Sequence, residues 1–278
     1  MSAISIQNLS KTFPQKGRDY DVLKDFNLEI GAGEFVTVFG PNGSGKSTIL
    51  NMIAGLESAD SGSILINGKN NDESKVGFVF QNFNESMLPW RTVEQNIRLG
   101  VEGNVKLKVQ NTKIPKQIEG VEATTVSPPQ TKIANLLDQT GLESIKNKHF
   151  FELSGGQKQL TAIARSFAFE PEILLMDEPF SALDYSVTKK MQLKVLEMWQ
   201  NFNEKLTRKN EKLTVLFVSH DLDEAIFLAD KIVVLSPRPA TVKQIIKVDL
   251  PRPRTLDMLE SQAFFDYRKQ VLDIFKYE

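Results

Sequence analysis

Cysteine is absent from the 278-residue chain, which excludes a disulfide framework and any thiolate metal site. Its absence fits a reducing compartment. Long apolar runs are missing too. The longest, such as Ile173-Leu174-Leu175-Met176, have strand length and fall far short of the ~18 residues of a membrane-spanning helix. Residues 1–13 lack the apolar core of a secretory signal. If the protein works at a membrane, something else must anchor it. Neither sign of charge dominates: 34 Lys and Arg stand against 35 Asp and Glu, a net charge of −1. A general nucleic-acid coat or a wholly basic membrane-binding surface is not expected.

What is present is 41% hydrophobic and 25% charged, which argues against wholesale disorder. At roughly 150 residues per domain the length allows one large domain or two small ones. Ile4 and Ile6, then Phe26, Leu28 and Ile30, then Ile64 and Ile66 alternate with polar neighbours. Period-two alternation predicts half-exposed antiparallel strands. Phe35-Val36-Thr37-Val38-Phe39 is nearly continuously apolar, as in a strand covered on both faces. Residues 76–80, 173–176, 215–218 and 232–235 repeat that character, with helical stretches at 47–54 and 157–169 among them. Strands alternating with helices predict an α/β core with a mostly parallel sheet. Met191, Leu193, Val195, Leu196 and Met198 read as the core stripe of another helix, and Lys205, Arg208, Lys209 and Lys212 as a solvated face. Residues 101–131 are polar and without a period; they read as an exposed insertion, with a regulatory element as the alternative. A helix is expected over 256–277, after the extended Leu250-Pro251-Arg252-Pro253-Arg254.

Gly40-Pro41-Asn42-Gly43-Ser44-Gly45-Lys46-Ser47 fits the phosphate-loop pattern G-x-x-x-x-G-K-[ST], between a buried strand and a helix. Glycines there let backbone N–H groups turn inward around phosphate oxygens, and the helix adds its positive dipole end. Lys46 is expected to reach the β- and γ-phosphates and the Ser47 hydroxyl to bind Mg²⁺. A second apolar strand ends in Asp177 and Glu178. The first carboxylate can hold the Mg²⁺ shell beside Ser47, and the second can polarise an attacking water. Leu153-Ser154-Gly155-Gly156-Gln157 opens a further helix, a second anion-receptive terminus in one chain. One nucleotide rarely needs two, so Ser154 and Gly156 are read as facing the γ-phosphate held by a second copy.

With that segment the chain closely resembles the ATP-binding-cassette (ABC) ATPases, whose signature is LSGGQ. The resemblance spans nearly the whole chain, with the motifs in family order. It implies a P-loop NTPase core with a mostly parallel sheet, an N-terminal antiparallel β subdomain and an inserted α-helical subdomain. The cassette would occupy 1–245, with the helical subdomain near 85–165, and 246–278 would be an extension ending in a helix. ATP and Mg²⁺ are implied. The ATP contacts would be Phe13, Gly40, Pro41, Asn42, Gly43, Ser44, Gly45, Lys46, Ser47 and Thr48, joined in trans by Ser154, Gly155, Gly156, Gln157 and Asp184. Phe13 matches the aromatic that stacks on adenine; a core aromatic is its other reading. Ser47, Gln81 and Asp177 would hold the metal, the last through water. Glu178 matches the general base, His220 the switch histidine, Gln81 the glutamine near the attacking water, and Ser181-Ala182-Leu183-Asp184 the loop that communicates across a dimer. Lys46 completes the catalytic set. His149 has no such context and is read as structural or exposed.

Met87-Leu88-Pro89-Trp90-Arg91-Thr92-Val93 and Glu94-Gln95-Asn96 resemble the corresponding segment of the nitrate, sulfonate, taurine and bicarbonate importer ATPases, as do residues 175–184, 235–239 and 250–254. In such proteins the region after the glutamine forms a groove for a cytoplasmic helix of the permease, and Trp90 either lines that groove or belongs to the core. The implied protein is an ATP-hydrolysing importer subunit on the cytoplasmic face of a membrane. Its partners would be a second ATPase subunit, identical or a sister chain, transmembrane permease subunits and, indirectly, a solute-binding protein, with no nucleic acid. The chain departs from the family at Gln157-Lys158-Gln159-Leu160, which lacks a usual arginine, and in the length of insertion 101–131. A soluble ABC ATPase acting on ribosomes or DNA fits less well, because the chain has one cassette, no heptads and no basic stripe. A small-molecule P-loop kinase would leave residues 153–157 unexplained.

Overall fold

The computed structural model describes residues 2–15, 17–82, 86–102, 129–206 and 212–275. Alternating apolar residues build a long antiparallel hairpin from β1 (Ser2–Gln15) and β2 (Arg18–Gly31), in which Ile4 pairs with Ile30 and Ile6 with Leu28. β4 (Ser61–Ile66) adds to the other side of β1, and β5 (Lys69–Asn70) follows, giving a four-stranded sheet in the order β2-β1-β4-β5. This is the expected antiparallel subdomain.

The apolar segments form the second sheet, in the order β10-β9-β3-β8-β7-β6. Its members are β3 (Phe35–Phe39), β6 (Val76–Val79), β7 (Ile173–Asp177), β8 (Thr214–Ser219), β9 (Lys231–Leu235) and β10 (Val242–Lys247). All neighbours run parallel except β10, which is antiparallel to β9. Both faces are covered, so the strands read as continuous apolar runs. Along β8, Val215 and Phe217 enter one core with the helices, while Leu216 and Val218 enter the other with the hairpin sheet.

Helices cover the sheet. α1 (Lys46–Ile53) follows β3. α2 (Val93–Glu102), α3 (Pro129–Thr140) and α4 (Gly155–Ala168) lie between β6 and β7, where the inserted helical subdomain is expected. Most of insertion 101–131 lies outside the described residues, but its two ends are helical, closing α2 and opening α3. α5 (Tyr185–Glu204) buries Met191, Val195, Leu196 and Met198, the expected stripe, with Leu193 partly buried. Lys205 is exposed and Lys212 half-buried; Arg208 and Lys209 lie outside the described residues. α2 and α4 approach so closely at Gly100 that a Cβ there would lie 2.1 Å from the Arg165 carbonyl oxygen. Only glycine fits such a contact.

The end of the chain differs from the expected single helix over 256–277. A 3₁₀ segment (Leu256–Glu260) comes first, and α7 (Gln262–Phe275) starts anew. Ser261 makes the break: its backbone is extended, and its hydroxyl donates to the Met258 carbonyl at 2.7 Å and accepts from Phe264 N–H at 3.3 Å. A serine oxygen that accepts from the next helix's N–H groups is a helix start. The tail packs back on the core. Arg254 is buried and donates to the carbonyls of Ala229 (2.6 Å) and Phe227 (3.1 Å), at the end of α6 (Leu222–Leu228). Arg252 pairs with Asp230 at 2.8 Å and lies 4.6 Å from the Trp199 ring centre. Phe264 and Val271 of α7 are buried.

Buried Asn96 on α2 holds the loop that precedes it. Its side chain accepts from Leu88 N–H at 3.0 Å and donates to the carbonyls of Leu88, Arg91 and Thr92 at 3.0–3.2 Å. Asn96→Ala would strand several buried backbone groups and is expected to cost about 1–3 kcal/mol. Denaturant unfolding should show a lower midpoint at unchanged slope; an unchanged midpoint would refute this role.

Candidate nucleotide site

The parallel register brings four strand ends to one edge. Phe39 pairs with Ser219, Val218 with Asp177 and Met176 with Val79. The segments that follow, beginning at residues 40, 80, 178 and 220, leave the sheet side by side. Ligands bind at such carboxyl edges in open parallel sheets.

The loop after β3 turns through Gly43 (φ +79°) and Gly45 (φ +92°) into α1. A Cβ on Gly45 would lie 2.6 Å from Val22 Cγ1, so the turn and the hairpin behind it both demand glycine. Lys46 is buried, and its Nζ donates to the carbonyls of Gly40 and Pro41, both at 2.9 Å. Burial lowers the Lys46 pKa, opposed by the charges of Glu178 and Asp177. Asn42 and Ser47 are exposed, and Thr48 is half-buried in the first turn of α1.

Asp177 ends β7 and is buried. Desolvation raises its pKa, and a hydrogen bond with Ser47 acts the other way. Glu178 follows in the left-handed region (φ +42°), its N–H bonded to the Val218 carbonyl at 3.1 Å. A non-glycine residue held there is strained by roughly 1–3 kcal/mol, a feature typical of functional turns. The turn aims its carboxylate at two of the expected site residues. Glu178 Oε2 accepts from Gln81 Nε2 at 3.3 Å and lies 2.8 Å from His220 Nδ1.

The arrangement fits Mg²⁺ and phosphate. Two buried atoms at this edge, Ser44 Oγ and Asp177 Oδ1, have no hydrogen-bond partner. Leaving such atoms unpaired costs about 1–3 kcal/mol each. Ser47 and Asp177 are hard oxygen donors, and no group of three or more His, Asp and Glu among the described residues is placed to hold a metal by itself. Two donors suit an ion that completes its shell with water and substrate phosphates, as Mg²⁺ does. Ser47 and Asp177 would hold the Mg²⁺, which would supply positive charge against that of the phosphates.

The structure thus joins Gln81, Glu178 and His220, and the charges of Lys46, Asp177 and Glu178 act on one another. Gln81 bonds to Glu178, and among the described residues no hydrogen bond takes it to Ser47 or Asp177. The signature stands elsewhere on the surface. Ser154 caps α4, its Oγ accepting from Gln157 N–H at 3.3 Å while Gln157 Oε1 accepts from Ser154 N–H at 3.0 Å. Ser154 and Gly155 are exposed, and Gly156 and Gln157 are half-buried. Asp184, also exposed, caps α5 through Val187 N–H at 2.9 Å. Phe13 is half-buried near the end of β1, 6.1 Å from the Tyr20 ring. His149 stacks on Phe151 at 5.9 Å. Trp90 is 55% exposed, which sets aside the core reading.

One charge near the phosphate loop escapes sequence reasoning. The Arg238 guanidinium lies 5.1 Å from the Tyr20 ring centre and 3.6 Å from where a Cβ on Gly43 would stand. Its Ser-Pro-Arg-Pro context marks a turn, but nothing local says which loop it faces.

A family model described as ABC transporter matches residues 23–181. An uncharacterized ABC transporter ATP-binding protein of Methanocaldococcus jannaschii is 38% identical over 277 residues, covering 99% of this chain and 92% of its own. An aliphatic sulfonates import ATP-binding protein of Bacillus cereus is 35% identical over 275 residues, covering 98% and 96%. A nitrate import ATP-binding protein of Synechocystis is 34% identical over 281 residues, covering 98% and 95%. Among solved structures, a dimeric ATP-binding cassette in a post-hydrolysis state, bound to ADP and Pi, aligns with a TM-score of 0.69 at 30% identity, covering 89% of this chain and all of that one.

Gly45→Ala places a side chain against Val22 in a conformation that disfavours it, and nucleotide affinity is expected to fall about 10-fold or more. Titration with a fluorescent ATP analogue measures this; wild-type affinity would show that the turn tolerates a side chain.

Proposed function

Because the chain belongs to the ABC transporter family, we propose that it is the ATP-hydrolysing subunit of an importer for a small solute, either an oxyanion such as nitrate or bicarbonate or a sulfonate or taurine-type compound. The observation that carries the ATPase reading is Glu178, held between Gln81 and His220 and next in sequence to the buried Asp177. The solute class rests on the nitrate and sulfonate relatives and on the segments 87–96 and 235–239.

On this reading ATP lies along loop 40–48, with its adenine on Phe13. Lys46 exchanges the Gly40 and Pro41 carbonyls for phosphate oxygens. Ser47 and Asp177, the latter through water, take the metal, with Gln81 approaching it. Glu178 accepts a proton from the attacking water, Gln81 orients that water, and His220 steadies the carboxylate and the γ-phosphate. A second copy or a sister chain supplies Ser154, Gly155, Gly156, Gln157 and Asp184. Two half-sites then close on two nucleotides, and because the closed pair binds ATP better than the open one, ATP drives closure.

The cassette would be residues 1–245, with 246–278 acting as a brace against α6. Trp90 and Phe151, 55% and 72% exposed, would face a permease helix at the cytoplasmic surface of a membrane, with a solute-binding protein acting on the far side. No helix among the described residues is long and apolar enough to cross a membrane.

Glu178→Gln keeps the shape of the side chain but removes the base. Hydrolysis by the full-length chain is expected to fall by about 10²–10⁴, while ATP-dependent pairing, read by light scattering, survives. Near-normal turnover would refute the assignment of Glu178.

A further inference from the structure

We propose that Gln192 and Glu224 form a buried relay that positions His220, and through it Glu178, relative to α5, the helix that Asp184 caps. The inference rests on the roles of Glu178 and His220 in hydrolysis. Lys189 and Gln192 lie on the inner face of α5 beside its apolar stripe, and both are buried. The Gln192 amide is held at both ends: Nε2 donates to Glu224 Oε1 at 2.9 Å, and Oε1 accepts from Lys189 Nζ at 3.2 Å. One neutral side chain thus stands between a buried cation and a buried carboxylate. The other Glu224 oxygen, Oε2, pairs with Ser219 Oγ. That hydroxyl accepts from Asp221 N–H at 2.9 Å and so closes the turn carrying His220. His220 Nδ1 then meets Glu178 Oε2 at 2.8 Å. At the opposite end, Lys189 Nζ lies 5.4 Å from the ring centre of Tyr185, which is 72% exposed and adjoins Asp184.

A core of this depth packs at least as well with apolar side chains, so stability alone does not call for the cluster. Geometry distinguishes it. Each hydrogen bond tolerates only a few tenths of an ångström, and a slide of α5 would leave Gln192, Lys189 or Glu224 buried without a partner. The seat of α5 therefore fixes the turn at Ser219 and, one residue on, the imidazole that contacts the base. Burial pushes the Glu224 carboxyl up, while hydrogen bonds from Ser219 and Gln192 act against that shift. Glu224 and Gln192 are positioning residues: their side chains bond to Lys189, Ser219 and each other, not to the groups assigned to the nucleotide.

The test is Gln192→Leu in the full-length chain, assayed by steady-state ATP hydrolysis. We expect kcat to fall about 10-fold or more with KM little changed, since misplaced catalytic groups lose rate rather than ground-state affinity. In a His220→Ala background the same substitution should add nothing further, because both act through one group. Ser219→Ala, which deletes a single hydroxyl from the relay, reads the same split if Gln192→Leu does not fold. Unchanged kcat, a rise in KM alone, or losses that multiply independently in the His220→Ala background would each overturn the relay. A wild-type chain that binds ATP yet never hydrolyses it would overturn the assignment of Glu178 along with the relay. An active wild type with an indifferent Gln192→Leu would overturn the relay alone.

Discussion

The parallel pairing of β3, β8, β7 and β6 is the constraint on which the site depends. In a parallel sheet every strand delivers its carboxyl end to the same edge, so loops distant in sequence emerge as neighbours. Here that edge collects Lys46, Gln81, Asp177, Glu178 and His220, from four segments spread between residues 40 and 220. A slip of one residue in any pairing would exchange the two faces of a strand and displace its terminal side chain. Burial on both faces prevents the slip. Phe217 and Leu216 belong to different cores, and neither can be exchanged for the other without cost.

The same edge leaves its chemistry incomplete. Lys46 is occupied by the Gly40 and Pro41 carbonyls, and Ser44 Oγ and Asp177 Oδ1 are buried without partners. The other helix start, at Ser154 and Gly155, lies exposed on α4, where Ser154 is the cap and the Gln157 side chain accepts from its N–H. On the proposed reading these are two half-sites, and in a pair each chain would complete the other's. The brace formed by Arg252 and Arg254 belongs to this picture as support. It fastens the end of α6, the helix that begins directly after His220.

Much of this was legible in the residues. The phosphate loop, the acid pair after an apolar strand and the Ser-Gly-Gly turn are local patterns, because backbone chemistry at a phosphate demands particular residues at fixed spacing. The continuous apolar runs located β3, β6, β7, β8 and β9 within a residue or so, since burial on both faces leaves no polar positions. What escaped depends on contacts between distant segments. β10 lies at a sheet edge and alternates weakly. Ser261 interrupts an otherwise helical pattern with a cap that becomes visible only in its hydrogen bonds. Gln192 and Glu224 look like ordinary polar residues on amphipathic helices until their burial is known. Arg238 shows no sign of its neighbours, Tyr20 and Gly43, because they lie about two hundred residues away along the chain. Trp90 was ambiguous for a similar reason: an aromatic in a loop reads equally as core or surface until its exposure is measured.

The central claim is that one chain holds only half of each reaction centre. Mixing two disabled chains tests it most directly. Lys46→Ala spoils the phosphate loop, and Ser154→Arg spoils the signature. Each variant alone is expected to be inactive, because every pair it forms has two damaged sites. A mixed pair contains one site in which an intact phosphate loop meets an intact signature, so hydrolysis should return when the two preparations are combined. Mixed pairs that form and remain inactive, or a Ser154→Arg chain that hydrolyses ATP normally without a mate, would contradict it.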